Sequence, residues 1–154
     1  MSKNPLRRLA EQIALTSMRP PITYRPASKP IELNGKRILL TGASSGIGES
    51  AAEQFARRGA TVIAVARRED LLNEVVGRIT ASGGNAVAIP RDLSDLDAVD
   101  ALVAEVEQRF GGVDILINNA GRSIRRPLAE SLERWHDVER TMLLNYYSPL
   151  RLIR

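Results

Sequence analysis

The chain has 154 residues, 44% of them hydrophobic and 26% charged, with no cysteine and a single histidine, His136. That is enough apolar material for one buried core. It excludes disulfides, thiolate chemistry and any Cys- or His-rich metal centre. The net charge of +4 is unevenly placed, because the first thirty residues carry +5 and the remainder −1; no nucleic-acid-binding face is expected on the fold itself.

Residues 1–33 read as a basic, Pro-rich arm that holds Pro5, Pro20, Pro21, Pro26 and Pro30. Leu6, Leu9 and Ile13 recur at helical spacing, which predicts a short amphipathic helix over residues 6–17. Pro20-Pro21 would end it. The longest apolar run is five residues, 62–66, far short of a membrane span. The N-terminus lacks the pattern of a secretory signal. A soluble, cytoplasmic protein is expected.

Residues 34–154 alternate regularly. The run 37–41 predicts a strand and 46–58 a helix closed near Gly59. A β-rich strand follows at 61–66. Leu71, Leu72, Val75, Val76 and Ile79 place a helix over 69–82, ended by Gly83-Gly84. A third strand spans 86–90. A helix over 94–110 starts with a Ser-x-x-Asp pattern, Ser94 to Asp97, that suits a capping box. Residues 113–117 form a fourth strand. The last segment, about 130–154, carries Leu132, Trp135, Val138, Met142, Tyr146 and Leu150 on one helical face. Strands with nearly continuous apolar character, alternating with helices, predict an α/β, doubly wound parallel sheet of Rossmann type.

The strongest chemical signal is Thr41-Gly42-Ala43-Ser44-Ser45-Gly46-Ile47-Gly48, set between a strand and its helix. Glycines let the backbone approach a pyrophosphate, and a helix N-terminus presents N–H groups with partial positive charge. A glycine loop alone is weak support, since a tight β-to-α turn is the competing explanation. At the end of the second strand, Ala66 is followed by Arg67 and Arg68. An acidic residue there would accept from the ribose 2′-OH of NAD. Two guanidinium groups suit a 2′-phosphate instead, so NADP(H) is expected and NAD is the poorer fit.

With Asp92 after the third strand, Asn118-Asn119-Ala120-Gly121 after the fourth and Asn145 in the final helix, residues 34–154 resemble the short-chain dehydrogenase/reductase (SDR) family. The resemblance implies a cofactor site in which Gly42, Ser44, Ser45, Gly46, Ile47 and Gly48 hold the pyrophosphate and adjacent ribose. It implies that Asp92 and Leu93 flank adenine, and that Asn119, Ala120 and Gly121 line the channel. Asn145 is implied as a catalytic residue that positions a proton-relay water. The family's Ser and Tyr-x-x-x-Lys would follow Asn145. Tyr147 and Arg151 have the right interval, but Arg replaces Lys and Pro149 intervenes. The chain is therefore read as a truncated reductase, inactive by itself, whose incomplete sheet of order 3-2-1-4 leaves the fourth strand at an edge. Pro149 should distort the last helix near Asn145.

The function expected is hydride transfer between a carbonyl and an alcohol, with a homo-oligomeric full-length form. The alternative is a non-catalytic dinucleotide-binding module. Arg122, Arg125 and Arg126 could receive a phosphate-bearing carrier. Their setting is similar to SDR domains of bacterial fatty acyl reductases, which implies fatty acyl-CoA or fatty aldehyde substrates. His136 is read as a surface residue without a catalytic partner.

Overall fold

The computed structural model describes residues 31–131 and 133–154. The predicted arm helix at 6–17 and Leu132 lie outside the described residues. Leu33–Arg154 form one compact unit. In chain order it comprises β1 (Arg37–Thr41), α1 (Gly46–Arg57), β2 (Thr61–Ala66), α2 (Glu69–Ala81), β3 (Asn85–Pro90), α3 (Leu96–Phe110) and β4 (Ile115–Ile117). The strands are parallel, as the sequence pattern predicts, and ordered β3-β2-β1-β4, as the family resemblance implies.

Side chains alternate across each strand, so neighbouring residues enter different cores. Leu40, Val62 and Ala64 pack with Ala52 and Ala56 of α1 and with Leu72, Val75 and Ile79 of α2. Leu39, Ile63, Val65 and Ile89 pack with Val99, Leu102 and Val106 of α3. The result is helix–sheet–helix, with β1 and β2 buried on both faces. Leu40 is fully buried, and its truncation to Ala should cost about 2–5 kcal/mol.

Three details depart from expectation. The fourth strand is shorter than 113–117, because the Asp114 carboxylate accepts from the Arg37 N–H (2.8 Å) where a strand partner would supply a carbonyl. The helix predicted from Ser94 begins instead at Leu96. Its N-cap is Asp95, whose Oδ1 accepts from the N–H of Asp97 (3.0 Å) and of Ala98 (3.4 Å). Ser94 is diverted, since its N–H and hydroxyl both donate to Asp92.

The final segment is not one helix over 130–154. A short 3-10 turn (Leu128–Glu130) precedes α4 (Trp135–Met142), a π-helical turn (Leu143–Tyr147) and α5 (Ser148–Ile153). Pro149 has no N–H to return to the Asn145 carbonyl four residues back, and the wide turn is centred on Asn145. The predicted apolar face is real in spacing but points outward: Trp135, Val138, Met142, Tyr146 and Leu150 are all exposed. Leu144 and Leu152 pack inward against the second core. Arg151 pairs with Asp100 and donates to the Leu96 carbonyl at 3.4 Å. The Tyr147–Arg151 interval thus contributes a tie between α5 and α3.

Candidate cofactor-binding site

The site lies at the carboxyl ends of the parallel strands, where open α/β sheets place their ligands. Gly42 has φ +69° and Gly46 φ +60°, a region that side chains other than glycine's rarely occupy. At Gly48 the reason is space: an added Cβ would lie 2.1 Å from the Gly42 carbonyl oxygen. At Gly46 an added Cβ would meet nothing within 4 Å, so one face of the loop is open. The N-cap of α1, Ser45, makes no side-chain capping bond. The helix N-terminus is left without a side-chain acceptor, which suits an anion.

Thr41 explains why the glycine run is preceded by a hydroxyl residue. Its side chain is 1% exposed. Its Oγ1 accepts from the N–H groups of Asn119 (3.0 Å) and Ala120 (2.9 Å). In return Asn119 Nδ2 donates to the carbonyls of Thr41 (3.0 Å) and Gly42 (3.2 Å). These buried bonds lock the glycine loop to the turn after β4. Sequence reading assigned Asn119 to the channel and missed this bracing; the signal was a Thr closing an otherwise apolar strand.

Arg68 turns back over the loop, with Nη2 donating to Ser45 Oγ at 2.8 Å and Ser44 Oγ at 3.4 Å. Arg67 is largely exposed, with Nη1 3.9 Å from Asp92 Oδ2. Partial burial alone would raise the Asp92 pKa. Hydrogen bonds from the Ser94 hydroxyl and N–H, with the charges of Arg67 and Arg140, outweigh it and hold the carboxyl below its ordinary value.

A cleft of about 770 Å³ joins these parts. It brings together Gly42, Ser44, Ser45, Ile47, Gly48, Arg67, Arg68, Asp92, Leu93, Asn119, Ala120 and Gly121, all from the sequence-derived set. Gly46 belongs to the same loop but does not line the cleft, and neither does Asn145. Beyond that set the cleft is lined by Ala66, Ser94, Arg122, Arg140 and Leu144, of which Ser94, Arg140 and Leu144 were given no site role from the sequence. Arg140 and Leu144 are one helical turn apart, so their shared side of the helix was readable from spacing, but not that it faces the cleft.

Asn145 meets the site through the backbone. Its Oδ1 accepts from the Arg122 N–H at 2.8 Å, and its Nδ2 donates to the Arg122 carbonyl at 2.7 Å. It therefore fixes the loop that continues from Gly121. His136 is exposed, yet Nε2 lies 3.5 Å from the Asp137 carboxylate, a neighbour that sequence reading did not assign to it.

The cleft and its glycine cradle fit a dinucleotide, and the comparisons with known proteins agree. The short chain dehydrogenase family model matches residues 36–154. The chain belongs to that family. It is 69% identical to a fatty acyl-CoA reductase of Mycobacterium tuberculosis, over all of this chain and 54% of that protein. A fatty acyl-CoA reductase of Acinetobacter baylyi is 50% identical over 79% of the chain and 41% of its own length. The chain thus spans about half the length of the curated relatives it matches. Among solved structures, a metagenomic short-chain oxidoreductase in complex with NADP aligns with TM-score 0.74 and 34% identity, covering 80% of this chain and 56% of that one. L-sorbose reductase from Gluconobacter frateurii, complexed with NADPH and L-sorbose, gives the same TM-score and identity over 80% and 48%. This SDR chain shares with them the parallel-sheet α/β fold. Among its described residues no helix is long and apolar enough to cross a membrane, and no group of residues is arranged to hold a metal ion.

Proposed function

We propose that the chain is the dinucleotide-binding half of an NADPH-dependent reductase that interconverts a carbonyl and an alcohol, with fatty acyl-CoA or fatty aldehyde as substrate. In this reading residues 1–33 are an appended arm of a cytoplasmic, homo-oligomeric enzyme. The observation that carries it is the position of Arg67 and Arg68 beside the glycine cradle, with no carboxylate in their place. The substrate class rests on the names of the mycobacterial and Acinetobacter relatives. The cofactor rests on the arginines and on the NADP-bound structural neighbours.

The residues divide the work as follows. Gly42, Ser44, Ser45, Gly46, Ile47 and Gly48 receive the pyrophosphate and adjacent ribose at the N-terminus of α1. Arg67 and Arg68 bind the 2′-phosphate, where charge-assisted contacts are strongest. Asp92 and Leu93 flank the adenine. Asn119, Ala120 and Gly121 line the path to the reacting end of the cofactor. Asn145, through Arg122, holds that path in place and serves the proton relay. When bound, the nicotinamide supplies the hydride; the protein supplies orientation.

Titration of the purified chain with NADPH and NADH tests the assignment. NADPH should bind at least tenfold more tightly, and equal affinities would refute the role of the arginines. Residues 1–154 alone should not oxidise NADPH with a fatty aldehyde; measurable turnover would overturn the view that proton-transfer groups beyond Asn145 are required.

A further inference from the structure

A second cavity, of about 410 Å³, adjoins the cofactor cleft and shares Arg122 with it. At its base lies Asp137, whose side chain is only 8% exposed. This one carboxylate gathers three guanidinium groups: Arg126 Nη1 at 2.9 Å, Arg134 Nε at 2.9 Å and Arg122 Nη2 at 3.5 Å. The Arg134 hydrogen bond foremost, and that of Arg126 after it, hold its pKa down to about 2. It stays ionised at neutral pH, and the cluster keeps two positive charges in excess.

A buried carboxylate needs one such partner to be satisfied. Three, drawn from both sides of the 3-10 turn, form a fixed cationic shelf. Each guanidinium carries five N–H donors in a planar fork, and few of them are spent on Asp137. Their side chains are between 30% and 44% exposed, so the remaining donors reach solvent at the cavity. Ile124, Val138 and Met142 add apolar surface to the same cavity, beside Ser123, Ser131 and Thr141. Such a pairing suits a ligand with phosphate at one end and a slender, weakly polar arm at the other.

We infer that this cavity anchors the phosphate groups of a coenzyme A thioester through Arg122, Arg126 and Arg134, with Asp137 as the residue that positions the three arginines. The inference rests on the reductase reading above and adds to it a place where the carrier is held, next to the path along which its acyl group would reach the cofactor. It assigns a purpose to Arg126 and Arg134, which do not line the cofactor cleft.

The test is a calorimetric titration of the chain with coenzyme A while NADPH saturates the first cleft. Coenzyme A should bind one to one, pantetheine should not bind detectably, and dephospho-coenzyme A should fall between. Arg126→Gln should weaken coenzyme A at least tenfold and leave NADPH affinity unchanged. Val138→Glu, which removes none of the four charged side chains, should do the same without lowering the melting temperature, and keeps the test valid if the first variant folds poorly. Unchanged coenzyme A affinity in Val138→Glu, or competition between coenzyme A and NADPH for one site, would overturn the inference. Failure of NADPH to bind in the absence of coenzyme A would instead refute the reductase reading.

Discussion

The two ends of the sheet use the same side chain in opposite ways. At the amino end, Arg37 is closed off: its N–H and Nε donate to Asp114 Oδ2 at 2.8 and 3.2 Å, and Nη1 donates to the Phe110 carbonyl. Lys36 adds its charge to the same carboxylate at 3.7 Å. The Arg37 N–H foremost, then its side chain, lower the Asp114 pKa. At the carboxyl end, Arg67, Arg68, Arg122 and Arg140 line a cleft whose one carboxylate is Asp92. Within the carboxyl end the helix starts also differ, since α3 is capped by Asp95 while α1 has no side-chain cap. Where donors are matched within the chain, the contact is structural. Where they outnumber acceptors, the surplus suits an external anion.

This contrast can be broken most severely at the glycine loop. Gly48→Val should abolish NADPH binding and destabilise the fold by roughly 1–3 kcal/mol, because the new side chain collides with the Gly42 carbonyl; retained cofactor affinity would contradict the geometry. Arg67→Asp should shift the ratio of NADPH to NADH affinity toward NADH by about 100-fold, equivalent to about 2.8 kcal/mol. Competitive titration reads it, and an unchanged ratio would remove Arg67 from 2′-phosphate recognition.

At the amino end the expected result is the reverse. Arg37→Ala should lower the melting temperature by several degrees while NADPH affinity stays the same. A loss of affinity without a loss of stability would erase the distinction between the two ends.

The smallest effect is that of pH. Asp114 and Asp137 both have folded pKa values below the unfolded value of about 3.9, that of Asp137 falling to about 2. Their stabilisation is therefore present above the unfolded value and lost as pH falls through the folded one, which for Asp137 lies at about 2. Melting curves from pH 5 to pH 2 should show this decline, shallower in Asp137→Asn. A decline of equal depth in that variant would mean the carboxylate contributes nothing through its charge.

Much of the site was legible because its signals are local. The positive φ at Gly42 and Gly46 and the crowding at Gly48 leave little choice of residue, so the glycine run announces itself. Arg67 and Arg68 were legible for a similar reason, since the end of β2 has a defined place beside that loop. Ser94 was misread because two carboxylates, Asp92 and Asp95, flank it. Its hydroxyl was drawn to the first, and the second took the cap. The bracing by Thr41 had no sequence signal beyond a hydroxyl closing an apolar strand, since its partners Asn119 and Ala120 are nearly eighty residues away and only the pairing of β1 with β4 brings them together.

Periodicity, turn glycines and strand composition were sufficient to determine a parallel α/β sheet and a glycine-rich first turn, and the family resemblance added the order β3-β2-β1-β4. These features depend on backbone conformation and on the burial of neighbouring residues, and both are written in short stretches of chain. Tertiary structure alone decided that the apolar stripe of α4 and α5 faces outward, that Arg140 looks into the cleft, and that Asp137 collects Arg122, Arg126 and Arg134. Helical spacing states which residues share a face but not what stands opposite it. Electrostatic partners are set by distance in space, which the order of charges along the chain does not contain.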